Sequence, residues 1–327
     1  MTTSPKLITI GNAIVDVLAK VEDSFLATFS MDKGAMLLVD QDQSTNIYDA
    51  MPPAIERSGG SAGNTAAGVA MLGGSVGYIG KVFDDQLGKI FRHDIGAVGV
   101  DFPTPAATEG ESTANCMVLI TPDAQRTMNT YLGACGGLSV DDIDEAYIAG
   151  AEIIYVEGYL WDRPDAKEAV LKAFKIAKAS KTKVALSLSD SFCVDRFRDE
   201  FMQLIEEYVD ILFANEDEIK SLYEIEDFSR AASLARGSVE IAALTRGDKG
   251  STIIAEGQTF AIPAEPTSVE DTTGAGDLYA AGFLYGLQQG YGAATCARIG
   301  GICAAEVISH VGPRPEVDLK DLIVGLT

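Results

Sequence analysis

The sequence predicts an α/β fold in which a doubly wound, mostly parallel sheet carries a small β-rich lid. Three observations support this fold: short β-branched runs that alternate with helical patterns, a glycine-rich turn that opens into a late helix, and two hairpin-like regions that interrupt the alternation. Alternation of strands and helices is typical of parallel sheets, because each parallel pair of strands needs a crossover connection. The 327 residues are 47% hydrophobic, which is enough to bury a substantial core.

The strands of the main sheet are predicted from six short runs that are rich in apolar and β-branched residues. The runs are LITIG from Leu7, VGYIG from Val76, IIYVEGYL from Ile153, KVALSLS from Lys183, VDILFAN from Val209 and EIAALT from Glu240. Between the third and fourth runs, residues 165–180 place Ala169, Ala173 and Ala177 on one face at helical spacing, with lysines on the other face. This pattern predicts a helix that covers one face of the sheet.

Two regions do not follow this alternation, and we predict that they form the lid. Residues 13–58 and 113–132 offer strands with hairpin-type connections and little helix, as in MVLITPDAQRTMNTYL with turn residues DAQ. The remaining residues, 1–12, 59–112 and 133–327, are predicted to form the large α/β domain that binds nucleotide and substrate. No low-complexity tract or long linker separates the two parts.

The charge and cysteine content exclude several classes of partner. The 48 acidic and 25 basic side chains give a net charge of −23, which repels nucleic-acid backbones and anionic membrane surfaces. The five cysteines form no C-x-x-C pair, which predicts a reducing, cytoplasmic location without disulfides. The N-terminal segment does not have the pattern of a signal peptide, and no window approaches the ~20 apolar residues of a membrane span. A negatively charged substrate would therefore need a concentrated local site for anions.

The strongest signal for function is DTTGAGD, residues 271–277, which leads directly into a helix of small and apolar residues. The unpaired amides and the dipole of a helix N-terminus attract anions, and glycine lets a phosphate group approach the backbone closely. Gly274, Ala275 and Gly276 therefore form a candidate anion hole. An isolated G-x-G would more simply indicate tight packing, but the carboxylate of Asp277 beside it favours a functional site.

Asp277 is the candidate catalytic carboxylate. A carboxylate in the first turn of a helix has its charged form favoured, so we expect Asp277 to be a weak base at neutral pH. Phosphoryl transfer needs a positioned acceptor for the hydroxyl proton more than it needs a strong base. The structural alternative is an ordinary aspartate at a helix start.

A second glycine-rich segment, SGGSAGN, precedes a helix that is rich in alanine and glycine. Gly59 and Gly60 allow the close approach of a ligand or of another element, and Asn64 offers amide groups one turn into the helix. These residues could bind the hydroxyl groups of a polyol. A helix with a small-residue packing face explains the composition equally well.

Three further segments have both a functional and a structural explanation. Asn215 and Glu218 match a capping box, and at the carboxyl end of a parallel strand they would also suit a hydrated magnesium ion. Residues 245–250, TRGDKG, are expected to form a surface hairpin. Tyr159 could stack on a ring, although an aromatic residue at a strand end is more often simply packed.

Two common nucleotide-binding motifs are excluded. GAGDLY lacks the third glycine of a dinucleotide fingerprint, which disfavours a nicotinamide-dependent dehydrogenase. GYIGKV contains a Gly-Lys pair, but Ser75 and Val82 replace the first glycine and the hydroxyl residue of a P-loop.

Together, and in this order, GGSAGN, NEDE and DTTGAGD resemble the ribokinase-like (PfkB) family of carbohydrate and nucleoside kinases over nearly the full chain. The resemblance implies ATP as phosphate donor, Asp277 as catalytic carboxylate and Gly274 to Gly276 as anion hole. It implies a magnesium and phosphate-positioning pair at Asn215 and Glu218, nucleotide beside Thr245, Arg246, Gly247 and Gly250, and a monovalent cation such as K⁺ near Asp271 and Thr273.

The segment GNAIVD resembles the start of the adenosine kinase branch of that family, which implies phosphorylation of the hydroxymethyl group of adenosine to give AMP. The resemblance further implies ribose contacts from Asp16, Gly59, Gly60 and Asn64, base contacts from Asn12 and Ile14, and an apolar side formed by Tyr159 or Leu160. Arg126, which follows the lid turn, is a candidate for the cation that steadies the transferred phosphate.

Two alternatives remain open at this point. A sugar kinase acting on ribose, fructose or a related compound would share most of the residues that hold hydroxyl groups. A non-catalytic module that binds a metabolite is an alternative of another class, although such a module would have no need for Asp277. The expected partner is a small molecule, with neither nucleic acid nor membrane, and the protein is expected to be a monomer or a homodimer.

Overall fold

The chain folds around two β-sheets in the computed structural model, which describes residues 4–123 and 125–326. The strands are β1 (Leu7–Ile10), β2 (Ile14–Lys20), β3 (Met36–Leu38), β4 (Ile55–Ser58), β5 (Val76–Ile79), β6 (Ala114–Ile120), β7 (Arg126–Tyr131), β8 (Ile153–Glu157), β9 (Lys183–Ser187), β10 (Ile211–Asn215), β11 (Ile241–Thr245), β12 (Ser251–Ala255) and β13 (Gln258–Ile262). The helices are α1 (Asp23–Thr28), α2 (Gln41–Ala50), α3 (Ser61–Met71), α4 (Gln86–Ala97), α5 (Glu145–Ala149), α6 (Pro164–Ser180), α7 (Ser191–Glu207), α8 (Glu216–Tyr223), α9 (Phe228–Ala235), α10 (Ala275–Gln288), α11 (Ala293–Val307) and α12 (Leu319–Leu322).

The larger sheet has the strand order β13-β12-β11-β10-β9-β8-β1-β5. The strands from β5 to β11 in this order run parallel, and β12 and β13 add an antiparallel edge. The parallel strands are the six runs predicted from the sequence, and α6 is the predicted covering helix. The predicted doubly wound, mostly parallel fold is therefore confirmed. Residues 245–250 form the expected hairpin connection, between β11 and β12.

The larger sheet is buried on both faces, because successive side chains of a strand point to opposite sides. In β1, Leu7 packs into a hydrophobic cluster with α3, α10 and α11, whereas Ile8 packs into the cluster on the other face with α6 and α7. A strand covered on both faces is expected to be a continuous apolar run, as LITI is.

The smaller sheet has the strand order β3-β7-β6-β2-β4, with strands drawn from residues 14–58 and 114–131. Strands β6 and β7 form the predicted hairpin, and of the predicted turn residues 123–125 Ala124 lies outside the described residues. The prediction of little helix in this part is wrong, because α1 and α2 lie between its strands. Helix α2 begins with a capping box of Asp40 and Gln43, which is a helix-start signal that the sequence contains.

Helix α10 is packed at close range between α3 and α11, because glycine residues lie at the contacts. A Cβ atom on Gly282 would lie 2.8 Å from the backbone of Gly300 on α11. On the other side, a Cβ atom on Gly68 of α3 would lie 2.6 Å from the Cβ atom of Ala281. The small-residue packing face is therefore present on α3, and it lets α10 lie close to α3. Within the described residues, no helix is both long enough and apolar enough to cross a bilayer.

We expect Gly282→Ala to lower the free energy of unfolding by about 1–3 kcal/mol, since the new methyl group meets backbone that cannot rotate away. Urea denaturation followed by circular dichroism measures this change. The control is Gly96→Ala in the last turn of α4, where no described atom beyond the chain neighbours and the helix's own backbone lies within 4 Å of the added Cβ. That change should be neutral or stabilise by up to ~1 kcal/mol, because alanine has the higher helix propensity. Equal losses in both variants would contradict the close packing of α10.

Candidate active site

A cavity of about 470 Å³ opens between the carboxyl ends of the parallel strands and the smaller sheet. This end of an open α/β sheet is where such folds bind ligands. The predicted site residues that line the cavity are Ile14, Asp16, Gly60, Asn64, Tyr159, Asn215, Glu218, Thr245, Thr273, Gly274, Ala275, Gly276 and Asp277. Because the smaller sheet covers this cavity, we propose that it is the lid.

A larger cavity, of about 890 Å³, lies elsewhere and does not have the features of a phosphate site. Its lining includes Lys20, Phe25 and Pro122, and none of the predicted site residues. No glycine lines it among the described residues, so it lacks a glycine turn that would let a phosphate group approach the backbone closely. We therefore take the smaller cavity as the candidate site.

Asp277 lies where the N-termini of α3 and α10 converge on the cavity. Its Oδ1 atom accepts a hydrogen bond from Ser61 Oγ at 2.7 Å, and its Oδ2 atom accepts one from Asn64 Nδ2 at 2.9 Å. The hydroxyl group of Thr65 also donates to the carbonyl oxygen of Asp277, at 3.2 Å. The SGGSAGN and DTTGAGD motifs thus meet in one site, although Ser61 and Asp277 are 216 positions apart in the sequence.

The predicted ionisation of Asp277 requires a correction. Its position at a helix start predicts a lowered pKa, but burial raises the pKa of Asp277 to about 6. Hydrogen bonds from Ser61 and Asn64 and the charge of Arg314 act in the opposite direction and do not cancel the effect of burial. Desolvation penalises the charged form of a carboxyl group more than one helix terminus stabilises it. A carboxylate with this pKa is a better proton acceptor at neutral pH than an exposed aspartate.

Gly274 to Gly276 form the turn that begins α10. Gly274 has a φ of +79°, a left-handed conformation that glycine adopts without strain, and a Cβ atom there would lie 2.9 Å from Pro313 Cα. Apart from its chain neighbours and the backbone of its own helix, no described atom lies within 4 Å of a Cβ placed on Gly276, which borders the open cavity. Amides in the first turn of a helix have no intrahelical acceptor. The turn therefore fits an anion such as a phosphate group.

The turn before α3 brings a second carboxylate to the cavity. Gly60 has a φ of +79° and directly precedes the first residue of α3. Gly59 does not line the cavity. A side chain at this position would collide with the Asp16 carboxylate, so the glycine lets Asp16 approach the turn. Burial raises the pKa of Asp16 to about 7, and nearby Arg314 acts in the opposite direction. The Asp16 carboxylate lines the cavity and has no hydrogen-bond or ion-pair partner among the described residues, so it is available to a ligand.

Glu157 is a buried carboxyl residue beside the site that the sequence analysis missed. Its Oε1 atom accepts hydrogen bonds from the backbone amide and the Nδ2 atom of Asn12, both at 2.8 Å, and its Oε2 atom accepts one from the Ala62 amide at 2.7 Å. The role expected for Asn12 is therefore corrected, because its side chain is bonded to Glu157 and does not line the cavity. Burial raises the pKa of Glu157 to about 7. The signal that could have identified it is a carboxylate at the carboxyl end of the predicted strand β8.

Arg314 is the second residue that the sequence analysis missed. Its buried guanidinium donates from Nη2 to the carbonyl oxygen of Ser58 at 2.7 Å and from Nη1 to that of Gly63 at 3.4 Å. Its charge lies close enough to Asp16 and Asp277 to oppose the rise in their pKa values. No local sequence signal identifies Arg314, because Ser58 is 256 positions away.

Asn215 and Glu218 form the predicted capping box at the start of α8. Glu218 donates its amide to Asn215 Oδ1 at 2.8 Å, and Glu218 Oε2 accepts the Asn215 amide at 2.9 Å. Glu218 also lines the cavity without an ion-pair partner among the described residues, and burial raises its pKa to about 7. Among those residues no three His, Cys, Asp or Glu side chains cluster around one point. A magnesium ion that is bound to phosphates needs only one or two carboxylates from the protein, and Glu218 fits that role.

The segment predicted to lie beside the nucleotide is only partly in the cavity. Thr245, at the end of β11, lines it. Arg246 does not, because its Nε atom is paired with Glu216 Oε2 at 2.9 Å. Gly247 and Gly250 have positive φ values in the turn to β12 and also do not line the cavity.

Part of the cavity lining is apolar or aromatic. Ile14, Tyr155, Tyr159 and Phe213 contribute to its lining. Leu160 does not, because only 2% of its surface is exposed and it packs in the core with α6. Of the two residues expected on the apolar side, Tyr159 is therefore the one at the cavity.

Arg126 differs from the prediction that it contacts the transferred phosphate. Its Nη1 atom donates to Thr273 Oγ1 at 2.9 Å and lies 2.7 Å from Asp271 Oδ2. Arg126 does not line the cavity. The same contacts occupy the two residues predicted to lie near a monovalent cation. The residues present therefore do not fit that cation, and we assign it no role in the reaction.

Residues 54–319 match the model of a known protein family that is described as "pfkB family carbohydrate kinase". This range contains the turns before α3 and α10 and the capping box of α8.

Individual relatives cover most or all of the chain. The adenosine kinase from Sinorhizobium meliloti has a solved structure that is 48% identical, with a TM-score of 0.89 and coverage of 97% of this chain and 98% of that one. A probable sugar kinase protein from Rhizobium etli CFN 42 is 45% identical, with a TM-score of 0.91 and coverage of 100% of both chains. The 5-dehydro-2-deoxygluconokinase of Shouchella clausii (strain KSM-K16) is 30% identical over 273 residues, which are 77% of this chain and 80% of the relative.

Proposed function

The chain belongs to the pfkB family of carbohydrate kinases, and from this premise we propose that it transfers the γ-phosphoryl group of ATP to the hydroxymethyl group of adenosine. The observation that carries the proposal is the Asp277 carboxylate, which Ser61 and Asn64 hold at the cavity beside the glycine turn of α10. Family membership makes the chain a kinase, and the nucleoside substrate is our proposal.

The geometry of the cavity suits transfer of a phosphoryl group to an alcohol. Asp277, with its raised pKa, would accept the proton of the attacking hydroxyl group. Ser61 and Asn64 would hold the carboxylate in one orientation. The amides of Gly274 and Gly276 would stabilise charge on the transferring group, whereas the amide of Ala275 donates to the carbonyl oxygen of Thr272 at 3.2 Å. ATP with magnesium beside Glu218 would supply the phosphoryl group when bound.

The cavity has both polar and apolar lining residues, and this combination supports a nucleoside as the substrate. Asp16 offers a free carboxylate to ribose hydroxyl groups, and the Oδ1 atom of Asn64 is buried without a partner among the described residues. A planar base would pack against apolar lining residues such as Ile14 and Phe213. The 48% identity with an adenosine kinase over 97% of the chain supports the same substrate.

A sugar kinase is the second candidate, because relatives named as kinases of sugars or sugar derivatives are about as similar to this chain as those named adenosine kinase. The probable sugar kinase protein is 45% identical over the whole chain, and the 5-dehydro-2-deoxygluconokinase is 30% identical over 77% of it. A sugar would use Asp16 and Asn64 in the same way and would leave the apolar lining residues without a partner.

A coupled assay of ADP production distinguishes these candidates. The panel contains adenosine, other nucleosides, ribose, fructose and 5-dehydro-2-deoxygluconate, each with and without magnesium. We expect ADP release that requires both adenosine and magnesium. Turnover of a sugar without turnover of any nucleoside would replace the adenosine proposal with the sugar kinase, and binding without turnover of any compound would indicate a non-catalytic module.

We expect Asp277→Ala to lower kcat by roughly 10²- to 10⁴-fold, because the proton acceptor is lost. The dissociation constant for adenosine, measured by titration calorimetry, should change much less. The control is Asp165→Ala, which removes an exposed aspartate from the first turn of α6 and should keep normal kcat. Near-normal kcat in Asp277→Ala would remove Asp277 from the mechanism.

The pH profile of kcat/KM provides a separate test of Asp277. Because its pKa is raised to about 6, activity should fall as pH decreases through that value. The Ser61 hydroxyl stabilises the charged form, so Ser61→Ala should raise the pKa and move the acidic limb up by roughly one unit. Ser233→Ala, at an exposed site on α9, should keep the original limb. A limb that does not move in Ser61→Ala would mean that another group controls it.

A further inference from the structure

The Asp271 carboxylate is bonded to hydrogen-bond donors on both of its oxygen atoms. Oδ1 accepts the amide and the hydroxyl group of Thr273, at 3.1 and 2.8 Å. Oδ2 accepts the amide of Gly312 at 3.0 Å and lies 2.7 Å from Arg126 Nη1. The hydroxyl oxygen of Thr273 accepts a further hydrogen bond from Arg126. The group that would offer negative charge to a cation therefore already has a cation of the chain itself beside it.

The opposite charges of Arg126 and Asp271 neutralise each other in a buried position. The side chains of Arg126 and Asp271 are only 9% and 8% exposed. An additional monovalent cation at Asp271 would lie beside a guanidinium group, with little water between them to screen the repulsion. The carbonyl oxygen of Ile308, another oxygen near this loop, already accepts the amides of Glu270 and Asp271 at 2.8 and 3.3 Å.

Asp271 is also what holds Arg126 in position. The Nε and Nη2 atoms of Arg126 are buried without a hydrogen-bond partner among the described residues. Its described hydrogen bond and ion pair are those with Thr273 and Asp271, both in the loop that leads into the glycine turn of α10. Arg126 itself begins β7 in the smaller sheet. The ion pair thus joins the proposed lid to the loop that shapes the candidate anion hole.

We propose that the guanidinium group of Arg126 supplies, from within the chain, the positive charge that a monovalent cation would otherwise supply at Asp271. Arg126 acts here as a positioning residue, because it holds the 271–274 loop and does not contact the reacting atoms. The enzyme is consequently indifferent to the choice of monovalent cation. Removal of the guanidinium group leaves a buried carboxylate and an empty space, which is a site that K⁺ can enter.

The test compares KCl, NaCl and choline chloride at equal ionic strength, so that general screening is the same in each buffer. The first readout is the thermal unfolding midpoint without any substrate, which does not depend on the proposed function. The second readout is kinase activity with the best substrate of the panel. For the natural chain we expect one Tm in all three salts and activities that differ by less than about fivefold, the lower end of typical coupling between sites.

Arg126→Met keeps the apolar stem of the side chain and removes its charge. We expect its Tm in choline chloride to fall by roughly 5 °C or more, since a buried ion pair is broken. KCl should restore part of that loss in a saturable manner and raise the activity by at least about fivefold. The control is Arg126→Met combined with Asp271→Asn, which has no buried anion and should show no response specific to K⁺.

Two results would overturn the proposal. One is a saturable rise in the Tm or activity of the natural chain that is specific to K⁺, since this would mean that a cation binds despite Arg126. The other is a folded Arg126→Met protein without any specific response to K⁺. If Arg126→Met does not fold, Arg126→Gln takes its place with the same expectations. If the natural chain shows no kinase activity but gives the expected Tm values in the three salts, the result counts against the proposed function and not against this inference.

Discussion

The site depends on one constraint, which is that a carboxylate must be kept partly away from water and still be ready to accept a proton. Asp277 meets it because α3 contributes Ser61 and Asn64 as hydrogen-bond donors to its two oxygen atoms. These donors reach Asp277 only because α3 and α10 lie very close together, and that distance is possible because Gly68 has no side chain at the contact. Helix packing and proton chemistry are therefore linked through small residues that never touch a ligand.

The distribution of charge is the second theme of the structure. The chain has a net charge of −23, and burial raises the pKa values of Asp16, Glu157 and Glu218 to about 7. Positive potential comes instead from backbone amides at helix N-termini and from the buried Arg314. Such a cavity is poorly suited to a bare polyanion and better suited to a phosphate group that arrives with a divalent cation.

Much of the fold could be predicted from local pattern, and the errors have physical causes. The six parallel strands are continuous apolar runs, which is how a strand buried on both faces must appear. Helices α1 and α2 were missed because they have only six and ten residues, too few to show a clear helical period. The capping box of Asp40 and Gln43 is the local signal that marks the start of α2. The pKa of Asp277 was predicted in the wrong direction, because a sequence shows the position of a residue on a helix and not its exposure to water.

The sequence by itself determined the fold class, the two glycine turns and the identity of the carboxylate beside one of them, because these features are encoded in short, contiguous segments. Only the tertiary structure decided that Asn12 is bonded to Glu157, that Leu160 belongs to the core and that Arg126 is paired with Asp271. The physical reason for the two polar pairings is that each joins side chains more than 100 positions apart in the chain. A buried polar group takes whichever partner the packing brings within reach, and local sequence does not specify that partner.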